Sequence, residues 1–209
     1  MKTDETPQTI PENPKARCVL DAALEIFSEV GYETASMDRV AQAAGVSKAT
    51  VYAHFQSKER LFAAVVGRQC QRNARTLVDD DILTQPVEEA LRIIGMRFLG
   101  ILLSPRALRM FRVVAAESYR FPELGKIFFD SGPLATSQAL RDYFRLASER
   151  EELAVPDPAL AAEQFLSVIR GHLHLRCLLG LEDRPPESEM RRLVDEAVTL
   201  FCRGYSTHR

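Results

Sequence analysis

Ser36, Arg39, Ser47, Lys48, Ala49, Thr50, Tyr52, His54 and Lys58 fall in one short stretch of the chain. They are small, polar, basic or aromatic. Together they suit the edges of base pairs and the oxygens of phosphates. Lysine bonds guanine acceptors, threonine bonds a base or offers its methyl, and alanine touches a thymine methyl. Tyrosine and histidine more often meet the nucleic-acid backbone and fix register without reading sequence.

The residues between them show how they would be held. The run SMDRVAQAAGVSKATVYAHF, residues 36–55, reads as two short helices joined by a tight turn. Ser36 is an N-cap whose hydroxyl would accept a backbone N–H near Asp38 or Arg39. Asp38 lies in the first turn, where a negative charge suits the helix dipole. Met37, Val40, Ala41 and Ala44 recur at helical spacing and give one apolar face. Gly45 supplies the left-handed backbone of a sharp helix exit, and Val46 plugs the turn. Ser47 caps a second helix from Lys48 to about Phe55. Val51 and Phe55 share its inner face, which leaves Lys48, Ala49, Thr50, Tyr52 and His54 nearer the outside. Such a pair is a helix-turn-helix, whose second helix lies in the DNA major groove. Ser57 caps the next helix, and Lys58 beside its free N–H groups is expected to clamp a phosphate.

The net charge of −2 argues against a uniformly basic surface. Its distribution is more informative. Between Ser36 and Arg75 the bases are Arg39, Lys48, Lys58, Arg60, Arg68, Arg72 and Arg75, against Asp38 and Glu59 alone. A local basic excess on a near-neutral chain marks one nucleic-acid face. A solvated helix surface would read the same without the neighbouring motif.

The rest of the chain supplies supporting helices. Residues 1–13 form a polar arm, expected to be disordered. A first helix runs from Pro14 or Lys15 to Val30, with Val19, Ala23, Ile26, Phe27 and Val30 inward and Gly31 at its end. Lys58 to about Val78 forms a fourth helix that links two halves of the molecule. Further helices are expected over 86–103, 106–119, 121–130, 134–150, 158–179 and 187–205, separated by Asp79-Asp80-Asp81, Ser104-Pro105, Gly132-Pro133, Pro156, Gly180 and Pro185-Pro186. No strand pattern survives. The fold class is therefore all-α with nine or ten helices. Its parts are a helix-turn-helix DNA-binding domain over 14–62 and a second, helical domain over 63–209.

The run M-DRVAQAAGVSKATVYAHFQSKERLF, with AALEIFSEVGYETASM upstream, resembles the DNA-binding domain of the tetracycline-repressor (TetR) family. Farther on, RMFRVVAAESYRFPELGKIFFDSGP is similar to the ligand-binding domain of the AefR-like branch. The resemblance implies a dimer on a pseudo-palindromic operator and makes 63–209 an effector-binding and dimerisation domain with an inducer pocket.

Geometry points to a dimer too, because one short recognition helix reads only a few base pairs. Dimers place two such helices about one DNA turn, ~34 Å, apart. The last two helices have broad apolar faces, and Phe165, Ile169, Leu173, Leu193, Val194, Ala197, Val198 and Phe201 are the expected interface. They would serve equally as a bundle core. The expected ligand residues are Phe98, Leu102, Phe111, Val114, Glu117, Ser118, Phe121, Phe128, Phe144 and His172. An apolar, aromatic lining with a few polar groups suits a small molecule, although any helical core reads alike.

Other chemistries find little support. Cys18, Cys70, Cys177 and Cys202 form no CxxC pair and no zinc spacing. His172 and His174 are two apart, so on a helix they point away from each other and cannot chelate together. No nucleophile–base motif or phosphate loop is present. Neither an enzyme nor a cofactor is therefore expected. No signal pattern opens the chain, and no apolar run reaches the ~18–20 residues that span a bilayer. A soluble, cytoplasmic regulator is the expectation. The other classes to weigh are an activator or architectural DNA binder, and a small-molecule binder with a vestigial head.

Overall fold

A computed structural model describes residues 13–207, apart from the side chains of Ala74 and Arg75. The expected arm over 1–13 lies outside the described residues except for Asn13. Among the described residues the chain is helical throughout, without strands. The described residues fold as two compact units, one of residues 13–69 with 113–129 and one of residues 70–112 with 130–207.

The first unit begins with α1 (Pro14–Thr34). Asn13 caps it, accepting from the Lys15 N–H at 2.9 Å, and Pro14 needs no partner at the first position. Gly31, at φ 79° and ψ 171°, kinks the helix near its end. The short α2 (Met37–Ala43) and α3 (Lys48–Phe55) follow, then α4 (Lys58–Leu77). Phe27, Tyr32 and Phe62 meet at the centre of this unit, all fully buried. The Phe62 ring stands edge-on to both others, at 5.2 and 5.3 Å. Val40, Val51, Leu61 and Val65 close the core around them. The end of α6 (Pro105–Glu117) and α7 (Pro122–Phe129) belong to the same unit. There the Phe121 ring meets Tyr32 at 5.2 Å, and Arg120 pairs with Glu33.

The second unit is built on α5 (Val87–Leu102), α8 (Ala135–Glu149), α9 (Pro158–Arg170), α10 (Leu173–Leu178) and α11 (Glu187–Gly204). A 3-10 turn, Ile82–Thr84, precedes α5. Gly95 lets α5 approach its neighbours, because a Cβ there would lie 2.9 Å from both Ile169 Cδ1 and Val194 Cγ1. Phe144, Phe165, Phe201 and Tyr205 form a contiguous aromatic cluster, with Phe144 and Phe201 stacked at 4.9 Å. Arg112 donates to the carbonyls of Cys177 and Leu178 at 2.6 and 3.0 Å, satisfying the end of α10.

Three features depart from expectation. The helix expected over 158–179 is broken at Gly171, whose φ of 44° excludes continued helix, so α9 and α10 are separate. The break expected at Gly132-Pro133 is instead a π-helical turn, Asp130–Leu134, leading into α8. The residues expected to face a second subunit lie mostly in this unit's own core. Phe165, Ile169, Leu173, Val194, Ala197, Val198 and Phe201 are buried there, and Leu193 packs half-buried against them. Their area is already withdrawn from water and is not available to a partner. Among the large apolar side chains that these helices leave exposed are Leu160 and Val168 on α9, Leu175 on α10 and Leu200 on α11.

Candidate nucleic-acid interface

The turn between α2 and α3 is set by backbone chemistry. The Val46 N–H donates to Ala41 O at 3.0 Å and the Gly45 N–H to Gln42 O at 3.2 Å. This is the Schellman pattern, and Gly45 meets its left-handed requirement at φ 65°. Ser36 accepts from the Arg39 N–H at 3.2 Å and Ser47 from the Thr50 N–H at 3.1 Å, so each helix starts on a hydroxyl cap. Val51 and Phe55 point into the core, 0% and 4% exposed, which fixes the opposite face of α3 outward.

On that outward face the structure brings most of the expected residues together. Ser36, Arg39, Ser47, Lys48, Ala49 and Tyr52 are exposed, while Thr50 and His54 are half-buried. The Thr50 hydroxyl lies 2.8 Å from that of Ser47. The His54 ring sits 6.1 Å from Phe55. The Lys48 ammonium lies 2.7 Å from Asp38 across the two helices, and 5.9 Å from the Tyr52 ring centre. The bond to Asp38 holds the Lys48 pKa above its ordinary value.

Lys58 takes a different place from the phosphate clamp expected of it. Its ammonium donates to the carbonyls of Tyr32, Glu33 and Ala35 at 2.9, 3.0 and 3.1 Å, and lies 4.5 Å from the Tyr32 ring centre. All three of its protons are thus engaged at the end of α1. Lys58→Met is expected to lower the stability of the first unit by roughly 1–3 kcal/mol, the cost of stranding polar groups. The salt slope of DNA binding should stay as it was. Chemical denaturation beside a salt titration reads both, and a flattened slope at unchanged stability would return Lys58 to the phosphates.

The basic excess read along 36–75 is also offset in space. Arg39 lies 3.8 Å from Glu29, and Arg68 lies 2.5 Å from Asp21. Both acids come from α1, which precedes the stretch that was counted.

The expected ligand residues divide between the units. Val114 is buried in the first, with Glu117, Ser118, Phe121 and Phe128 half-buried there. In the second, Phe98, Leu102 and Phe111 are half-buried, Phe144 is fully buried in the aromatic cluster, and His172 is exposed ahead of α10. The histidine that reaches the interior is His174, 7% exposed and edge-on to Phe111 at 5.1 Å. A depression of about 770 Å³ on the same unit is lined by Ser148, Glu151, Leu153, Val155 and Pro156, none of them expected as ligand residues.

Burial, and after it Arg170, holds the His174 pKa below the ordinary 6.5. The unfolded chain takes up that proton near 6.5, while the folded chain resists it. The unfolded state then binds more protons, so stability falls as the pH is lowered. The contribution is intact above 6.5 and is lost as pH drops through the window below it. His174→Phe should flatten this decline between about pH 7 and about pH 5, measured by denaturant midpoints. An unchanged decline would place its origin elsewhere. The thiols are pushed the other way, with Cys70 and Cys202 raised to about 11 by burial. Cys18 is exposed.

Residues 19–65 match the family described as bacterial regulatory proteins, tetR family. Residues 89–207 match AefR-like transcriptional repressor, C-terminal domain. The chain belongs to the TetR family. Its all-helical fold, with the helix-turn-helix near the N-terminus, is the fold of solved TetR-family regulators. The flavonoid-responsive regulator FrrA is 37% identical, covering 91% of this chain and 96% of that one, with a TM-score of 0.77. A putative TetR-family regulator from Mesorhizobium loti MAFF303099 is 26% identical over 93% of this chain and 99% of its own, with a TM-score of 0.83. The HTH-type transcriptional regulator YvkB of Bacillus subtilis (strain 168) is 24% identical over 205 residues, 92% of this chain and 98% of YvkB. As a TetR-family member the protein is a DNA-binding transcriptional regulator and not an enzyme. Among the described residues, no helix is long and apolar enough to cross a membrane.

Proposed function

We propose that this regulator works as a homodimeric repressor, released from a pseudo-palindromic operator by a small apolar or aromatic molecule. A DNA-binding domain over 14–62 reads the duplex through Lys48, Ala49 and Thr50. Ser36, Arg39, Ser47, Tyr52 and His54 fix its position on the backbone. The domain over 63–209 carries the dimer contact and the effector site. The likeness to FrrA carries the ligand part of the reading, because that protein is described as flavonoid-responsive and the match runs through both domains. The C-terminal match to AefR-like repressors supports repression. Leu160, Val168 and Leu200, exposed on α9 and α11, suit a contact between two copies.

The effector must favour the state that does not bind DNA, and couplings of this kind are about 1–3 kcal/mol. The test is a fluorescence-anisotropy titration of the protein on its own upstream DNA, repeated with a panel of flavonoids and other aromatic compounds. One or more should weaken binding by about 5–150-fold. A complex that no aromatic compound weakens would overturn the ligand reading while leaving the DNA reading intact.

A further inference from the structure

The first unit binds DNA with little charge to spare. Between residues 13 and 69, Lys15, Arg17, Arg39, Lys48, Lys58, Arg60 and Arg68 face Asp21, Glu25, Glu29, Glu33, Asp38 and Glu59. Most of the bases have a partner within the protein. Lys58 spends its protons on carbonyls, Arg68 meets Asp21, Arg39 lies near Glu29, and Arg60 bonds Gln56. Lys48 stands at the start of the recognition helix, and the carboxylate of Asp38 is 2.7 and 2.9 Å from its ammonium.

That pair adds little to stability, since both side chains are more than half exposed and surface ion pairs contribute little. Its consequence for DNA is larger. Paired, Lys48 and Asp38 are neutral as a unit. They displace no counterion from a phosphate, and the carboxylate is repelled by the backbone. The ammonium still has donors beyond those given to Asp38. A guanine edge offers neutral acceptors that Asp38 does not repel.

We infer that Asp38 is a specificity-setting, positioning residue: it holds Lys48 as part of a neutral pair that bonds base edges of the operator and gains little from the phosphates of arbitrary DNA. The inference rests on Lys48 being a DNA contact, as proposed above.

The experiment compares full-length protein on its upstream DNA and on a scrambled duplex across a salt series. Asp38→Asn should raise affinity for the scrambled duplex about 3–10-fold and steepen its log–log salt slope by about 1. Operator affinity should change less, so the ratio of the two falls. Asp38→Glu, which keeps the carboxylate, should restore the ratio. In a Lys48→Ala background, Asp38→Asn should have no effect on it. The same fall in the ratio in that background would show Asp38 acting without Lys48 and overturn the proposal. An unchanged ratio and slope in the single variant would overturn it too. So would a parallel loss on both duplexes with a lower Tm, which marks only a weakened α2. If Lys48→Ala alone leaves operator affinity and slope unaltered, the assignment of α3 as the reading helix fails first, and this inference fails with it.

Discussion

Phe27→Ala is expected to cost the first unit about 3–5 kcal/mol and to abolish DNA binding at ordinary temperature. Phe27 is 0% exposed, and its ring meets Tyr32 at 5.8 Å and Phe62 at 5.2 Å. Removing it takes away the buried ring and leaves a cavity that neighbouring helices fill only in part. Domains are commonly stable by only about 5–15 kcal/mol in all, so a small unit has little margin. The effect should be local. Residues 70–112 and 130–207 have a separate core around Phe144, Phe165 and Phe201. Denaturant unfolding followed by circular dichroism should therefore show one early transition for the first unit and a later one little changed. A single transition shifted by less than 1 kcal/mol would contradict this account of the core.

The second large effect concerns α9 and α11. Val168→Arg with Leu200→Arg should yield a monomer by light scattering, and operator affinity should fall by about 10²-fold or more. A second tethered head adds avidity of about 10²–10⁴-fold, and the monomer loses it. Val168 and Leu200 are 43% and 65% exposed, so charges there leave the subunit's own packing alone. The melting temperature of the isolated subunit should be nearly unaffected. A variant that stays dimeric would move the contact to another face. A monomer with full operator affinity would remove the need for a dimer.

What the sequence disclosed about this fold depends on the range of each interaction. Ser36, Gly45 and Ser47 act on backbone groups within five residues, so the helix-turn-helix was legible from residue types and spacing. Lys58 was not. Its three carbonyl partners lie 23 to 26 positions earlier in the chain, and nothing local distinguishes that clasp from a phosphate contact. The offset of basic charge was hidden for the same reason, because Asp21 and Glu29 sit on α1. For α9 and α11 the periodicity showed an apolar face, but a period cannot say whether that face meets its own subunit or another. The structure gives Phe165, Ile169 and Val198 to the core, while Val168 and Leu200 stay outside. The expected inward histidine is His172 and the observed one is His174, because the break at Gly171 resets the register that an unbroken helix would have carried through it.

The most direct test of the central claim is selection of bound fragments from a random duplex pool by the full-length protein, followed by sequencing. The account predicts enrichment of an inverted repeat whose half-sites are centred about one DNA turn, ~34 Å, apart. It also predicts that Lys48→Ala and Thr50→Ala relax the preference at particular bases of each half-site. A pool recovered without any enriched motif, or a motif indifferent to both substitutions, would contradict it.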